Sequence, residues 1–416
     1  MTFATPSWLT VNTLAALKRR RKGWLKVHLW LGLGLGLFLS IIGITGAVLV
    51  FASELDHALN PDLYKVHSPH GAGIKSLDEL TKIGMSVAPR GWESGGVSLP
   101  RNADENYVFS YWVSEPTPAP EDGVSINIAV DPYTGEVVGR RVFYHAYNPL
   151  KHCFIGFFYK LHYSMLLDVK QFGSAGVVLV GLMGVLLIIS ALTGLILWWP
   201  LDGKWRRVLG IKRRASTVRF NHDLHQSLGF YSLLVLLAVL VSGIYFNLPD
   251  QFKWLVERFS PLTVESASVT HTAAVVTDTN TIDRLLASAE KDYPGGRLSY
   301  LTLPDPNTHR LTACYEDVPS LKLRVVDSRC LLIDSYAGHV LQVTDAASGT
   351  AGDTFMYWQW PLHSGQAFGW AGRILVMLSG LACPVLFVTG VIRWLHKRKA
   401  KKVMAARISS WKYDWS

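Results

Sequence analysis

The chain has 416 residues, 49% of them hydrophobic and only 17% charged, where an ordinary soluble domain carries about 25% charged residues. That balance points to a membrane protein, and part of the length must be spent on spans rather than on soluble domains. A formal net charge of +10 raises nucleic-acid binding, but the basic residues are distributed as a topology signal instead, and no P-loop, H-E-x-x-H or Ser–His–Asp pattern supports an NTPase or a hydrolase.

Residues 1–26 form a basic arm with the cluster Lys18-Arg19-Arg20-Arg21-Lys22. It resembles the start of a signal peptide, but the apolar run behind it is too long for one and no A-x-A site follows, so 27–51 is expected to be an uncleaved span. A bilayer core takes about 20 apolar residues of helix, and 173–199, 228–248 within 223–248, and 369–394 within 369–395 meet that length as well. Between the first two spans lies a long loop, 52–172. It has helical spacing at 76–87, a strand at 126–130, a turn over 131–135 and a returning strand at 136–140. Asp168 and Lys170 separate 154–167 from the second span, so that segment is either an interfacial helix or covered by the external domain. The short basic loop 200–222 leads to the third span. The second long loop, 249–368, has helical spacing at 281–292. Strands are expected at 321–326, 330–333 and 339–343, and a loop or edge strand at 270–280. A basic tail, 396–416, ends the chain.

Lys and Arg number six in 1–27, seven in 200–222 and eight from Arg393 onward, whereas acidic residues collect in the two long loops. By the positive-inside rule, both termini and 200–222 are cytoplasmic and the long loops lie outside. Trp198, Trp199 and Trp394 at one interface and Trp358, Trp360 and Trp370 near the other suit an aromatic belt. The basic clusters are read as topology signal and contact with the lipid bilayer, with no nucleic-acid partner.

The two halves share four landmarks at a near-constant spacing of about 200 residues. His28-x-x-Leu31-Gly32 matches His225-x-x-Leu228-Gly229. Asp131-Pro132-Tyr133-Thr134-Gly135-Glu136-Val137 matches Asp334-Ser335-Tyr336-Ala337-Gly338-His339-Val340. Leu161-His162 matches Leu362-His363, and Thr193-Gly194 matches Thr389-Gly390. The expected fold is therefore an α-helical membrane protein with four transmembrane helices in a tandem parallel repeat and two external α+β domains.

Ionisable residues at membrane depth are functional candidates by default. His28 and His225 occupy equivalent positions at one membrane face; His162 and His363 occupy equivalent positions at the other. Two such pairs suit bis-histidine ligation of b-type haem, one site per leaflet. No C-x-x-C-H is present, so covalent c-type attachment is excluded. His222 is an alternative to His225 as ligand, or a contact for a propionate. Gly32, Gly34, Gly36, Gly229, Gly181, Gly184 and Gly194 either make room for a flat macrocycle or pack helices closely. His145 and His152 are candidates for a substrate site. Cys314 and Cys330 share a loop on the oxidising side and are candidates for a disulfide; Cys383 reads as a packing residue.

The D-P-x-T-G-E-V hairpin and the L-H motifs flanking apolar spans resemble the PepSY-associated transmembrane helix family, over about residues 24–398. The second hairpin departs from the pattern, reading D-S-Y-A-G-H-V. The resemblance implies two PepSY-like periplasmic domains and an iron-regulated inner-membrane protein. It further implies a ferric-siderophore reductase with two b haems. The cytoplasmic segments are too short for a flavin or nicotinamide domain, so the electron donor is a cytosolic flavoprotein, a ferredoxin or a quinol. A haem-free regulatory or binding protein of the PepSY type and an iron-uptake transporter component are the competing readings. No broken helix pair with a charged midplane site supports transport.

Overall fold

The computed structural model describes residues 11–413 except 67–72, 93, 114–124, 145–153, 168–174, 202, 204, 213, 264–280, 304–309, 322–325 and 336. In chain order, helix α1 (Val11–Leu49) leads to α2 (Ala52–Leu59), α3 (Pro61–Tyr64) and α4 (Leu77–Ser86). Strands β1 (Ser94–Ser98), β2 (Tyr107–Trp112), β3 (Ser125–Val130) and β4 (Val137–Tyr144) follow, then α5 (Phe154–Ser164) and α6 (Ala175–Trp198). The second half runs through α7 (Trp205–Leu209), α8 (Thr217–Asn247), α9 (Pro249–Val256) and α10 (Ile282–Asp292). It continues with β5 (Arg297–Thr302), β6 (Arg310–Glu316), β7 (Arg329–Asp334), β8 (Val340–Asp345), α11 (Ala351–Tyr357), α12 (Gln359–Ser364) and α13 (Gly369–Tyr413). These elements form two compact units, Met1–Val50 with Val177–Leu248 and Leu362–Ser416, and Phe51–Gly176 with Pro249–Pro361.

The first unit holds the four helices long and apolar enough to cross a membrane, α1, α6, α8 and α13. The chain is therefore a membrane protein. Three of these helices outrun the expected spans on the basic side. Lys and Arg are good helix formers, so α1 starts at Val11, α8 at Thr217 behind the Ser216 cap, and α13 reaches Tyr413. Helices α1 and α13 cross at Gly43 and Gly380, where a Cβ on Gly43 would fall 2.5 Å from the Gly380 carbonyl oxygen. Pro384 has no N–H to bond that carbonyl along the helix. Gly181 and Gly184 pack against Leu248 and Ile244, so these glycines serve close helix approach. Gly36 does the same against Phe387, whereas a Cβ on Gly32 or Gly34 would meet nothing within 4 Å.

The second unit is built on one antiparallel sheet of eight strands in the order β4-β3-β2-β1-β5-β6-β7-β8. The two long loops thus share a sheet, joined where β1 pairs with β5 (Gly96 with Thr302, Val97 with Leu301, Ser98 with Tyr300). Strand alternation sends Val97, Phe109, Ile128, Leu301, Leu311 and Leu331 to one buried face. Leu80 of α4 and Leu285 of α10 complete that core. Both helices start as expected: Ser76 and Glu79 form a capping box, and Thr281 accepts from the Arg284 amide. Each also caps the other, because Asp78 accepts from the Ile282 amide at 2.7 Å and Asp283 accepts from the Asp78 amide at 3.3 Å.

The two hairpin turns are alike in spite of their differing sequences. Asp131 Oδ1 accepts from the amides of Tyr133 and Thr134, Asp334 Oδ1 from that of Ala337. Gly135 and Gly338 both take φ of 77°, which explains a glycine at that position in each. Cys314 and Cys330 face each other across β6 and β7 and are bonded. The partner of β7 is β6, and Pro319–Leu321 is a turn of 3-10 helix; most of the strand expected at 321–326 lies outside the described residues. Residues Arg310–Glu316, which the sequence left unassigned, form β6. Residues 322–325 and 270–280 lie outside the described residues.

Candidate cofactor-binding site

His28 on α1 and His225 on α8 are brought together in the helical unit, with ring centroids 6.3 Å apart and ring planes at 77°. Each imidazole is held from behind. His28 Nδ1 lies 2.9 Å from the Ser190 carbonyl oxygen and 3.4 Å from Thr193 Oγ1. His225 Nδ1 lies 2.9 Å from Thr389 Oγ1. His363 has the same kind of seat, with Nδ1 3.0 Å from Ser242 Oγ and 3.2 Å from the Val239 carbonyl oxygen.

The three hydroxyls already donate their single proton to their own helices. Thr193 donates to Ser190, Thr389 to Val385 and Ser242 to Ala238, at 2.9, 2.6 and 2.8 Å. They can then only accept from the imidazole, so each Nδ1 carries the proton and donates it. The tautomer so fixed leaves Nε2 of His28 and of His225 unprotonated, the form a metal takes.

A glycine follows each hydroxyl residue and lies under the ring it seats. A Cβ on Gly194 would fall 3.1 Å from His28 Cε1, one on Gly243 3.4 Å from His363 Cε1, and one on Gly390 3.5 Å from His225 Cε1. The seat is therefore one pattern used three times: a Ser or Thr whose hydroxyl fixes the tautomer, then a glycine that admits the ring. Thr193-Gly194 and Thr389-Gly390 stand in the sequence as repeat landmarks, with Gly194 read as space for a macrocycle or as helix packing and no role given to either threonine, and Ser242-Gly243 goes unnoticed there. The signal was present as a hydroxyl residue and glycine within an apolar span. The first span carries the same dipeptide, Thr45-Gly46, with Thr45 Oγ1 donating to the Ile41 and Ile42 carbonyls at 2.8 and 3.0 Å.

These residues fit a b-type haem. Imidazole–metal bonds of about 2 Å on opposite sides of one metal place the two ring centroids about 6 Å apart, close to the spacing of His28 and His225. Among the described residues no three His, Cys, Asp or Glu side chains converge on a point. Two axial imidazoles suit a macrocycle that brings its own four nitrogens.

The other candidates are placed differently. His222 Nδ1 lies 3.5 Å from Asp223 Oδ1, and that buried carboxylate pairs with Arg219 Nε at 2.8 Å. His222 thus faces a carboxylate and has no hydroxyl–glycine seat. His162 is on α5 and half-buried, in the unit that contains the sheet. His145 and His152 lie outside the described residues. Cys383 is buried and free, donating to the Ser379 carbonyl.

No curated protein matches the chain. A family model described as the PepSY-associated TM region matches residues 25–397, which takes in all four spans and both long loops. The chain belongs to the PepSY-associated transmembrane family.

Proposed function

We propose that this protein is an inner-membrane electron-transfer protein that holds two b haems and reduces a ferric siderophore on the periplasmic side, releasing ferrous iron. The observation that carries the reading is the pair His28 and His225, with ring centroids 6.3 Å apart, each with Nδ1 committed to a hydrogen-bond acceptor. A neutral imidazole with a fixed tautomer and a free Nε2 is what a haem iron takes as an axial ligand.

In this reading His28 and His225 hold one haem through Nε2. His363, seated in the same way, is a ligand of the other. Haem supplies reversible one-electron chemistry when bound. The chain supplies orientation and exclusion of water: Thr193, Thr389 and Ser242 set the tautomers, and apolar helices surround the rings. The overall reaction passes one electron to each ferric chelate. Reduction weakens hard oxygen ligation, so the metal leaves as ferrous iron. The basic ends of α1, α8 and α13 support a cytoplasmic location for both termini. The donor is a cytosolic flavoprotein, a ferredoxin or a quinol. The recurring order of span, loop and span, with two hairpins of one geometry, supports two tandem PepSY-type repeats whose loops share one sheet.

The test is a single-turnover experiment in lipid nanodiscs. Protein reduced with dithionite and freed of excess reductant is mixed with a ferric trihydroxamate in the presence of a ferrous trap. Reoxidation of a b-type spectrum matched by trapped ferrous iron is the expected result. A haem-loaded protein that stays reduced, or a protein that takes up no haem, overturns the reading.

A further inference from the structure

The sheet of the second unit has a second face, and it is not built like an ordinary solvated face. The cross-strand row Gly96, Ser110, Asn127 and Arg141 runs over β1 to β4, beside Ser98 on β1 and Tyr300 on β5. Strand alternation puts this row opposite the apolar core. The small polar side chains form the floor of a cavity of about 960 Å³. That is the size class of sites for whole small molecules, about 300–1,000 Å³. The walls include the stacked pair His57 and Tyr64, with ring centroids 3.8 Å apart, and Trp360. Gly96 lets the Tyr300 ring lie on the floor, because a Cβ there would collide with the phenol.

The charges at the rim and wall are already spent on each other. Glu316 bridges Arg101 at 2.9 Å and Arg297 at 2.6 Å. Asp56 is gripped by Arg141 and by the Tyr64 hydroxyl. Glu105 accepts from Asn102 at 3.0 Å. What the lining offers a ligand is therefore hydroxyls, amides and aromatic faces, with no surplus of positive charge among the described residues. Asn106 lines the cavity with 2% exposure. Its Nδ2 is used by the Leu63 and Lys65 carbonyls, and its buried Oδ1 accepts from nothing among the described residues.

We propose that this cavity binds an amide- and carbonyl-rich metal chelate of low net charge and discriminates against polyanionic chelates. The identification of the occupant as a chelate rests on the function proposed above. A polyanion entering the cavity loses hydration and meets only arginines already paired, which is selection by an uncompensated charge. A neutral or singly charged chelate gives up little hydration and finds donors and acceptors across the floor.

The test uses gallium(III) complexes, which are not reduced, so binding is read independently of haem and electron transfer. Haem-loaded protein in nanodiscs is titrated by calorimetry with the gallium complex of a linear trihydroxamate and with a gallium tris-catecholate. The trihydroxamate is expected to bind at least tenfold tighter than the trianion. Ser110→Trp, which fills the floor, and the milder Asn127→Leu are each expected to weaken it at least tenfold, with the melting temperature and visible spectrum unchanged. Equal or tighter binding of the tris-catecholate overturns the proposal. So does trihydroxamate binding that survives both substitutions in folded protein. If the gallium chelate binds at the cavity but the ferric one is not reduced, the reductase reading fails and the site stands. If the ferric chelate is reduced while both substitutions leave binding intact, the site fails and the reductase stands.

Discussion

His28 and His225 stand edge to face, 6.3 Å between ring centroids, each backed by a hydroxyl residue that has spent its own proton on its helix. The tautomer of each ring follows from that arrangement rather than from the metal. Both imidazoles are held as the tautomer that leaves Nε2 unprotonated, and the cost of fixing that tautomer is met when the bundle folds.

Removing one acceptor should loosen the site without emptying it. Thr389→Val keeps the shape but takes away the oxygen that receives the His225 Nδ1 proton. Loss of such an outer partner typically costs about 10- to 100-fold in metal affinity. The expected outcome is faster haem transfer to apomyoglobin and a shifted midpoint potential, with Thr389→Ser close to wild type. An unchanged transfer rate and potential in Thr389→Val would show that the threonine does not position the ring.

The glycines beneath the rings should be unequal. A Cβ on Gly194 would fall 3.1 Å from His28 Cε1, tighter than ordinary contact, whereas one on Gly229 would lie 3.6 Å from Leu386. Gly194→Val is expected to abolish haem uptake at the His28 site and Gly194→Ala to weaken it, while Gly229→Ala is tolerated. Haem-to-protein ratios of the purified variants check this order.

The sheet-bearing unit should be sensitive to acid. Burial alone would raise the Asp56 carboxyl, but hydrogen bonds from Arg141 and Tyr64 outweigh it and hold the group below the ordinary carboxylate range. Asp345 is held low in the same way, by Arg329 and the amides of Ala347 and Ser348. A carboxyl held lower in the folded than in the unfolded chain stabilises fully above its ordinary value near 4, and that contribution fades as pH falls through the folded value. Stability is therefore expected to drop below about pH 4. Arg141→Met leaves a nearly buried carboxylate uncompensated and should cost about 3–5 kcal/mol at neutral pH. Denaturant melts across pH check both, and a flat profile in the wild type would contradict the assignment.

The disulfide reports on both stability and compartment. Cys314 and Cys330 close a loop with a sequence separation of 16, for which chain entropy predicts about 3 kcal/mol. The double Ser variant should melt lower by that amount. In intact cells the wild-type pair should resist maleimide until reduced. Free thiols at these positions in vivo would place the sheet on the reducing side and reverse the proposed orientation.

Much of this was legible in the residues. The four spans stand out because lipid demands unbroken apolar length, and the two helices on the sheet show through the helical spacing of 76–87 and 281–292. Asp131–Gly135 marks its hairpin because a turn with φ of 77° wants glycine. The paired histidines were visible as repeats. The fusion of both loops into one sheet was not, since β1 reads Ser-Gly-Gly-Val-Ser and carries almost no strand propensity. Its place comes from pairing with β2 and β5, contacts that local pattern does not encode. The hydroxyl–glycine seats were hidden because Ser or Thr beside Gly in a span reads equally well as helix packing.

The most direct test of the central claim is the haem content of detergent-purified His28→Ala, His225→Ala and His222→Ala, measured by pyridine haemochromogen against wild type from haem-replete cells. Wild type is expected to carry two b haems per chain. His28→Ala and His225→Ala should each lose one, and His222→Ala, which lacks the seat, should keep both. A colourless wild type, or a His225→Ala variant that retains full haem while His222→Ala loses it, would contradict the account.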